Sequence, residues 1–99
     1  MTASSTSRAT RFADFLTALA ELPTGYSQGD YFGVRWGVTL ERSSDGRRVK
    51  LYGEELGGND HVSFNLYRAG GKPRLKPCEM PEVKVVDFVL GFRPEAEPS

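Results

Sequence analysis

Between Phe12 and Leu22 the apolar residues Phe12, Phe15, Leu16, Leu19 and Leu22 recur at spacings of three and four, which places them on one stripe of a helix. The spacing predicts a helix over Thr10 to Leu22, with Thr10 or Ser7 as its cap and Pro23 and Gly25 as its stop. Past Gly29 the period changes to two. Phe32, Val34, Trp36, Val38 and Leu40 alternate with Tyr31, Gly33, Arg35, Gly37 and Thr39, the pattern of a half-buried strand. Ser43, Ser44, Asp45 and Gly46 form a turn, and Arg47 to Glu55 alternates again as the hairpin partner, with Val49, Leu51 and Gly53 set against Arg48, Lys50, Tyr52 and Glu54.

Gly57, Gly58, Asn59 and Asp60 turn the chain into a third strand, His61 to Arg68, with Val62, Phe64 and Leu66 on its apolar side. A further turn over Ala69 to Pro73 leads to Arg74–Lys76, a short edge strand ended by Pro77. Pro81 and Glu82 open a second helix with the stripe Val83, Val86, Val89 and Leu90, and Gly91 closes it. The expected fold is α+β: an antiparallel meander of three or four strands with an N-terminal and a C-terminal helix packed on one face, in the order α-β-β-β-(β)-α. A β-barrel wrapped by the helices is the structural alternative. The expected core is Phe12, Phe15, Leu16, Leu19, Val34, Trp36, Val38, Val49, Leu51, Val62, Phe64, Leu66, Val86 and Val89.

The chain of 99 residues has material for one core, so a single domain is expected over residues 10–92. The Ser/Thr/Ala-rich residues 1–9 and the Pro/Glu-rich residues 93–99 read as disordered tails. Thirteen basic and thirteen acidic side chains cancel, which removes long-range attraction to phosphate backbones and anionic lipid and counts against a nucleic-acid partner. One cysteine and one histidine exclude an internal disulfide and a closed Cys/His zinc site. No metal or other cofactor is expected. The N-terminal region lacks a signal-peptide core or membrane span, and an unpaired thiol fits the cytoplasm.

Candidate chemistry lies mainly on the polar side of the strands. Tyr31, Arg35, Thr39, Lys50, Tyr52, Glu54, Ser63, Asn65 and Tyr67 share it, with Gly33 and Gly37 as open floor. Aromatic rings beside cations and an amide can stack on and hydrogen-bond a planar ligand, and the binding candidates are Arg35, Lys50, Tyr52, Asn65 and Tyr67. Cross-strand pairs on a solvated face explain the same pattern without a ligand. Arg68, Lys72, Arg74 and Lys76 form a basic stretch without an intervening acid. Cys78 precedes a helix start, where a thiol is more easily ionised, and His61 with Asn59 or Asp60 would complete a nucleophile, base and orienter. A small buried thiol is the simpler reading of Cys78. Glu54 and Glu55 point to opposite faces and make no shared-proton pair. Gly57 to Asp60 lacks the spacing of a phosphate or calcium loop, and Gly25, Gly29 and Gly33 lack that of a dinucleotide loop.

The segments Leu22 to Gly29, Gly37 to Thr39, Glu54 to Gly58 and Leu75 to Pro81 resemble those of a family of small bacterial proteins of about this length without an established activity. The resemblance spans Phe12 to Phe88. It implies a free-standing bacterial cytoplasmic domain and transfers no catalytic residue. No Gly-Cys-Phe-Trp segment surrounds Cys78, which counts against a methionine sulfoxide reductase. The expected function is a non-enzymatic binding or interaction module, monomeric or weakly dimeric, engaging another protein or a small planar ligand. A Cys78-dependent enzyme and a weak single-stranded nucleic-acid binder are the alternatives.

Overall fold

The computed structural model describes residues 8–95. Its elements are α1 (Arg8–Glu21), β1 (Gly25–Tyr31), β2 (Val34–Arg42), β3 (Arg48–Glu55), β4 (His61–Ala69), β5 (Lys72–Pro77), α2 (Glu82–Gly91) and β6 (Phe92–Pro94). The strands form one antiparallel sheet in the order β5-β4-β3-β2-β1-β6. The α+β class, the meander and the two helices are as expected, but the sheet has six strands. Its outermost strands, β5 and β6, do not pair with each other, so the sheet is open and the barrel alternative does not hold.

The first departure lies at Tyr31 to Val34. The single strand expected over Tyr31 to Leu40 is split by a hairpin turn at Phe32 and Gly33, whose φ angles of 51° and 79° are both left-handed, as in a two-residue turn that matches strand twist. The two residues added by the turn return Tyr31 to the inner face, opposite Val34, instead of the polar one. Phe32 is left 82% exposed and Val34 39% exposed, so neither joins the core. β1 escapes a periodicity reading because its inner positions are Gly25, Ser27, Gly29 and Tyr31, which carry almost no apolar alternation. Backbone pairing specifies it instead. Gly29 also admits β6: a Cβ there would meet the Arg93 carbonyl oxygen at 2.2 Å.

β5 runs over Lys72–Pro77, longer than the expected Arg74–Lys76. Arg93 and Pro94, expected at the start of the C-terminal tail, pair with β1 in β6. Most residues of both expected tails lie outside the described range. Pro81 is the N-cap of α2, with extended backbone, and not its first helical residue.

Both helices are amphipathic and share the inner face of the sheet. Phe15 and Leu19 of α1 are buried with Trp36, Val38, Leu40, Val49, Leu51, Val62, Phe64 and Leu66, while Phe12 and Leu16 are partly buried against them. In α2 the buried residues are Val85, Val86, Phe88 and Val89, and Val83 is 59% exposed. That stripe is rotated from the expected one because the ring of Phe88 is the anchor. It lies 4.7 Å from Trp36, 4.9 Å from Tyr31 and 5.3 Å from Phe92 between ring centroids. Beneath it is Gly53, where an added Cβ would come within 3.5 Å of the ring. Leu22, Leu40, Val85, Phe88 and Phe92 are core residues beyond those expected.

A helix ends with carbonyl groups that have no partner inside it. For α1 the partner comes from the sheet. The Arg42 guanidinium donates to the carbonyls of Leu19 at 3.0 Å and Leu22 at 3.1 Å, and to the Thr24 hydroxyl. A cation there also suits the negative end of the helix dipole. On the other side, Arg11 of α1 pairs with Asp87 of α2.

The free edge at β5 is protected. The Cys78 N–H donates to Ser63 O at 2.9 Å, which fixes the phase of the β4–β5 ladder and turns the backbone groups of residues 73, 75 and 77 outward. Two of these three are prolines without an N–H, so only Leu75 can donate to a further strand.

Two consequences are testable by urea unfolding. Arg42→Met is expected to cost about 1.5–3 kcal/mol, the scale of hydrogen bonds to a charged group, and Arg42→Lys to recover little because a lysine lacks the forked geometry. Phe32→Asn is expected to raise stability by roughly 1 kcal/mol, since asparagine tolerates the left-handed backbone that penalises a bulky side chain. An unchanged midpoint in either case contradicts the assigned role.

Candidate functional site on the open sheet face

With both helices on the inner face, the outer face of the sheet is left to polar side chains. The backbone bonds Glu55 N–H to Asp60 O and Arg68 N–H to Arg47 O, both at the ends of the β3–β4 ladder, place its narrow hydrogen-bonded pairs at inner positions. The outer pairs are then the non-hydrogen-bonded ones, in which facing side chains lie closest. Four such rungs follow along β3 and β4: Arg48 with Tyr67, Lys50 with Asn65, Tyr52 with Ser63, and Glu54 with His61. β5 continues two of them, placing Arg74 beside Tyr67 and Lys76 beside Asn65.

Four of the five expected binding residues, Lys50, Tyr52, Asn65 and Tyr67, therefore fall on three consecutive rungs. Tyr52 and Tyr67 are 45% and 37% exposed, enough to leave ring faces open. They stand two rungs apart, about 13 Å along the strands, with Lys50 and Asn65 between them. Arg35 does not join this group. It lies on β2 about 13 Å along the strand from Thr39, the neighbour of Tyr52, and is held by Glu95, Asp30 and Gln28. The hydrogen bond from Arg35 to Glu95 raises the guanidinium pKa further, so this group stays a fixed cation. Gln28 donates onward to the Tyr26 hydroxyl, which lies over Gly37; a Cβ at Gly37 would meet that oxygen at 2.5 Å. Gly37 is thus covered floor, not open floor.

The basic stretch has a different form from a loop. Pairing of β5 with β4 lays Lys72, Arg74 and Lys76 on the outer face, where Arg48 and Lys50 of β3 add to them. These five exposed cations make no ion pair with any described residue, and the outer positions of β3, β4 and β5 include one acid, Glu54, on the rung farthest from Tyr67. Arg48 was legible as an outward residue from alternation alone; that it flanks Tyr67 on the side opposite Arg74 depends on a strand pairing with few sequence signals. At the end of the strip a shallow depression is lined by Ser43, Asp45, Arg47, Arg48, Tyr67 and Arg68. The Asp45 carboxylate there closes the β2–β3 turn, accepting from the Arg47 N–H at 3.0 Å and the Ser43 hydroxyl at 2.7 Å. Those bonds, the backbone one foremost, hold its pKa below the usual value.

The residues of the expected nucleophilic set are occupied otherwise. Asp60 accepts from the Lys84 ammonium at 2.6 Å and from the His61 N–H at 2.8 Å, and the lysine bond is the main reason its pKa is lowered. His61 is exposed, its ring stacked toward Tyr52 at 6.4 Å. Cys78 is half-buried, and among the described residues no hydrogen bond joins it to His61. Burial, more than the nearby Asp87 and Asp60, pushes the Tyr31 hydroxyl pKa up. Among the described residues no cluster of three or more His, Cys, Asp or Glu side chains offers a metal site, and no helix is long and apolar enough to cross a membrane.

The Asp60–Lys84 bond ties the β3–β4 turn to α2 and gives a pH dependence. A carboxylate whose folded pKa lies below the unfolded value of 3.8 contributes stability that is complete above that value and is lost as pH falls through the folded pKa. Asp60→Asn is therefore expected to lower the urea midpoint at neutral pH and to differ progressively less from the wild type as pH falls below the ordinary carboxylate range. A constant difference across that range contradicts the assignment. Comparison of the chain with protein-family models, curated proteins and solved structures finds no match.

Proposed function

We propose that the protein is a binding module and that the outer face of β3, β4 and β5 is its contact surface. The observation that carries this reading is the strip of five exposed cations, without an ion pair among the described residues, interleaved with Tyr52 and Tyr67. On a solvated face, opposite charges set across the rungs stabilise a sheet. Four carboxylates form their ion pairs elsewhere: Asp30 and Glu95 hold Arg35, Asp60 holds Lys84, and Asp87 holds Arg11, while on this face Glu41 of β2 stands across from Lys50 and Glu54 ends the strip. A surface that concentrates cations while the chain as a whole is neutral suits an anionic ligand bound at short range.

The reading is tested by an amide-resolved NMR titration with inorganic tripolyphosphate, a nucleoside monophosphate and an acidic peptide. Saturable shifts are expected at Arg48, Lys50, Tyr52, Asn65 and Tyr67 for at least one of these probes. Shifts confined to the groove between the helices, lined by Phe12, Val83 and Val86, would assign binding to the opposite side of the molecule.

A further inference from the structure

Resting on that reading of the face, we infer that its ligand is a single-stranded nucleic acid, with phosphates on Arg48, Lys50, Arg74 and Lys76 and unpaired bases stacked on Tyr67 and Tyr52. Three features select this class among anions. The first is the alternation of ring and cation. Along β3 and β4 the outer rungs read Arg48–Tyr67, Lys50–Asn65 and Tyr52–Ser63, so each aromatic platform has a basic group on the same or the next rung. A polymer that alternates planar bases with phosphates matches such a surface, whereas an acidic peptide has no use for the ring faces. The second is Asn65, between the two tyrosines, whose carboxamide both donates and accepts and can read a base edge.

The third is the shape of the surface. The strip is the face of a sheet, and neither helix projects from that side to enter a duplex groove. Bases in a duplex are stacked on one another and cannot lie on tyrosine rings, so the face suits an unpaired strand. The neutral chain provides no long-range steering, and affinity comes from these short-range contacts. It falls steeply with salt: three or four neutralised phosphates give a slope of log K against log salt of roughly −2 to −3, at about 0.7 per phosphate.

The experiment is fluorescence anisotropy of a labelled single-stranded oligonucleotide about ten nucleotides long, a length within the range of one sheet-based site. It is carried out on the full chain between about 50 and 200 mM salt, with an equal-length duplex and inorganic polyphosphate as competitors. Saturable binding with the stated slope is expected, competed weakly by the duplex. Tyr67→Ala weakens it roughly 5- to 150-fold, the effect of one lost base stack, and Tyr67→Phe restores it. Arg74→Gln reduces the slope by about 0.7. Both sites are exposed, and circular dichroism verifies that the variants fold. If polyphosphate or the duplex competes as well as the single strand, or if Tyr67→Ala changes nothing, the assignment to a single strand with stacked bases is overturned while the face remains an anion-binding surface. Absence of binding to the oligonucleotide and of outer-face amide shifts with every probe overturns both.

Discussion

The seating of Phe88 on the sheet is the contact around which the molecule is organised. Its ring reaches Trp36 on β2, Tyr31 at the end of β1 and Phe92 at the start of β6, and rests over Gly53 on β3. Four strands are thereby registered against one side chain of α2. A Cβ added at position 53 would lie at ordinary contact distance from the ring and from Val38, so the ring packs directly on the strand there. With α2 placed there, α1 takes the remaining inner surface through Phe15 and Leu19, and Arg42 and Arg11 fasten it at its two ends.

Among the described residues the other face of the sheet carries no layer, and that face divides into two regions of different chemistry. Around β1, β2 and β6 the polar groups satisfy one another: Tyr26, Gln28, Arg35, Asp30 and Glu95 are linked, and they secure the last strand. Around β3, β4 and β5 the cations have no such partners among the described residues. An internally paired network is a structural device. A strip of cations around exposed rings leaves its charge open to an anion, which is the basis of the proposed binding role.

Periodicity made much of this legible. The alternation in Val34 to Leu40, Val49 to Gly53 and Val62 to Leu66 assigns the inner and outer sides of the three central strands, and so locates Lys50, Tyr52, Asn65 and Tyr67 on the outer face. It failed at the sheet's flanks, where strands are specified by backbone pairing more than by side chains. β1 offers glycine and serine to the inner face, β5 carries two prolines, and β6 is three residues long. It also failed at Phe32, where a bulky residue occupies a left-handed turn position that asparagine or glycine would advertise.

What the sequence by itself determined is therefore local: two amphipathic helices, three strands with defined sides, the Asp45–Gly46 turn, and a chain without net charge, disulfide or Cys/His zinc site. Such properties depend on residues within a few positions of one another. Tertiary structure alone decided that Arg35 belongs to a paired network, that the Asp60 carboxylate binds the Lys84 ammonium, and that Arg74 and Lys76 flank Tyr67 and Asn65 across from Arg48 and Lys50. Each depends on register or packing between segments distant along the chain, set when the core around Phe88 closes. The character of the outer face follows from that closure.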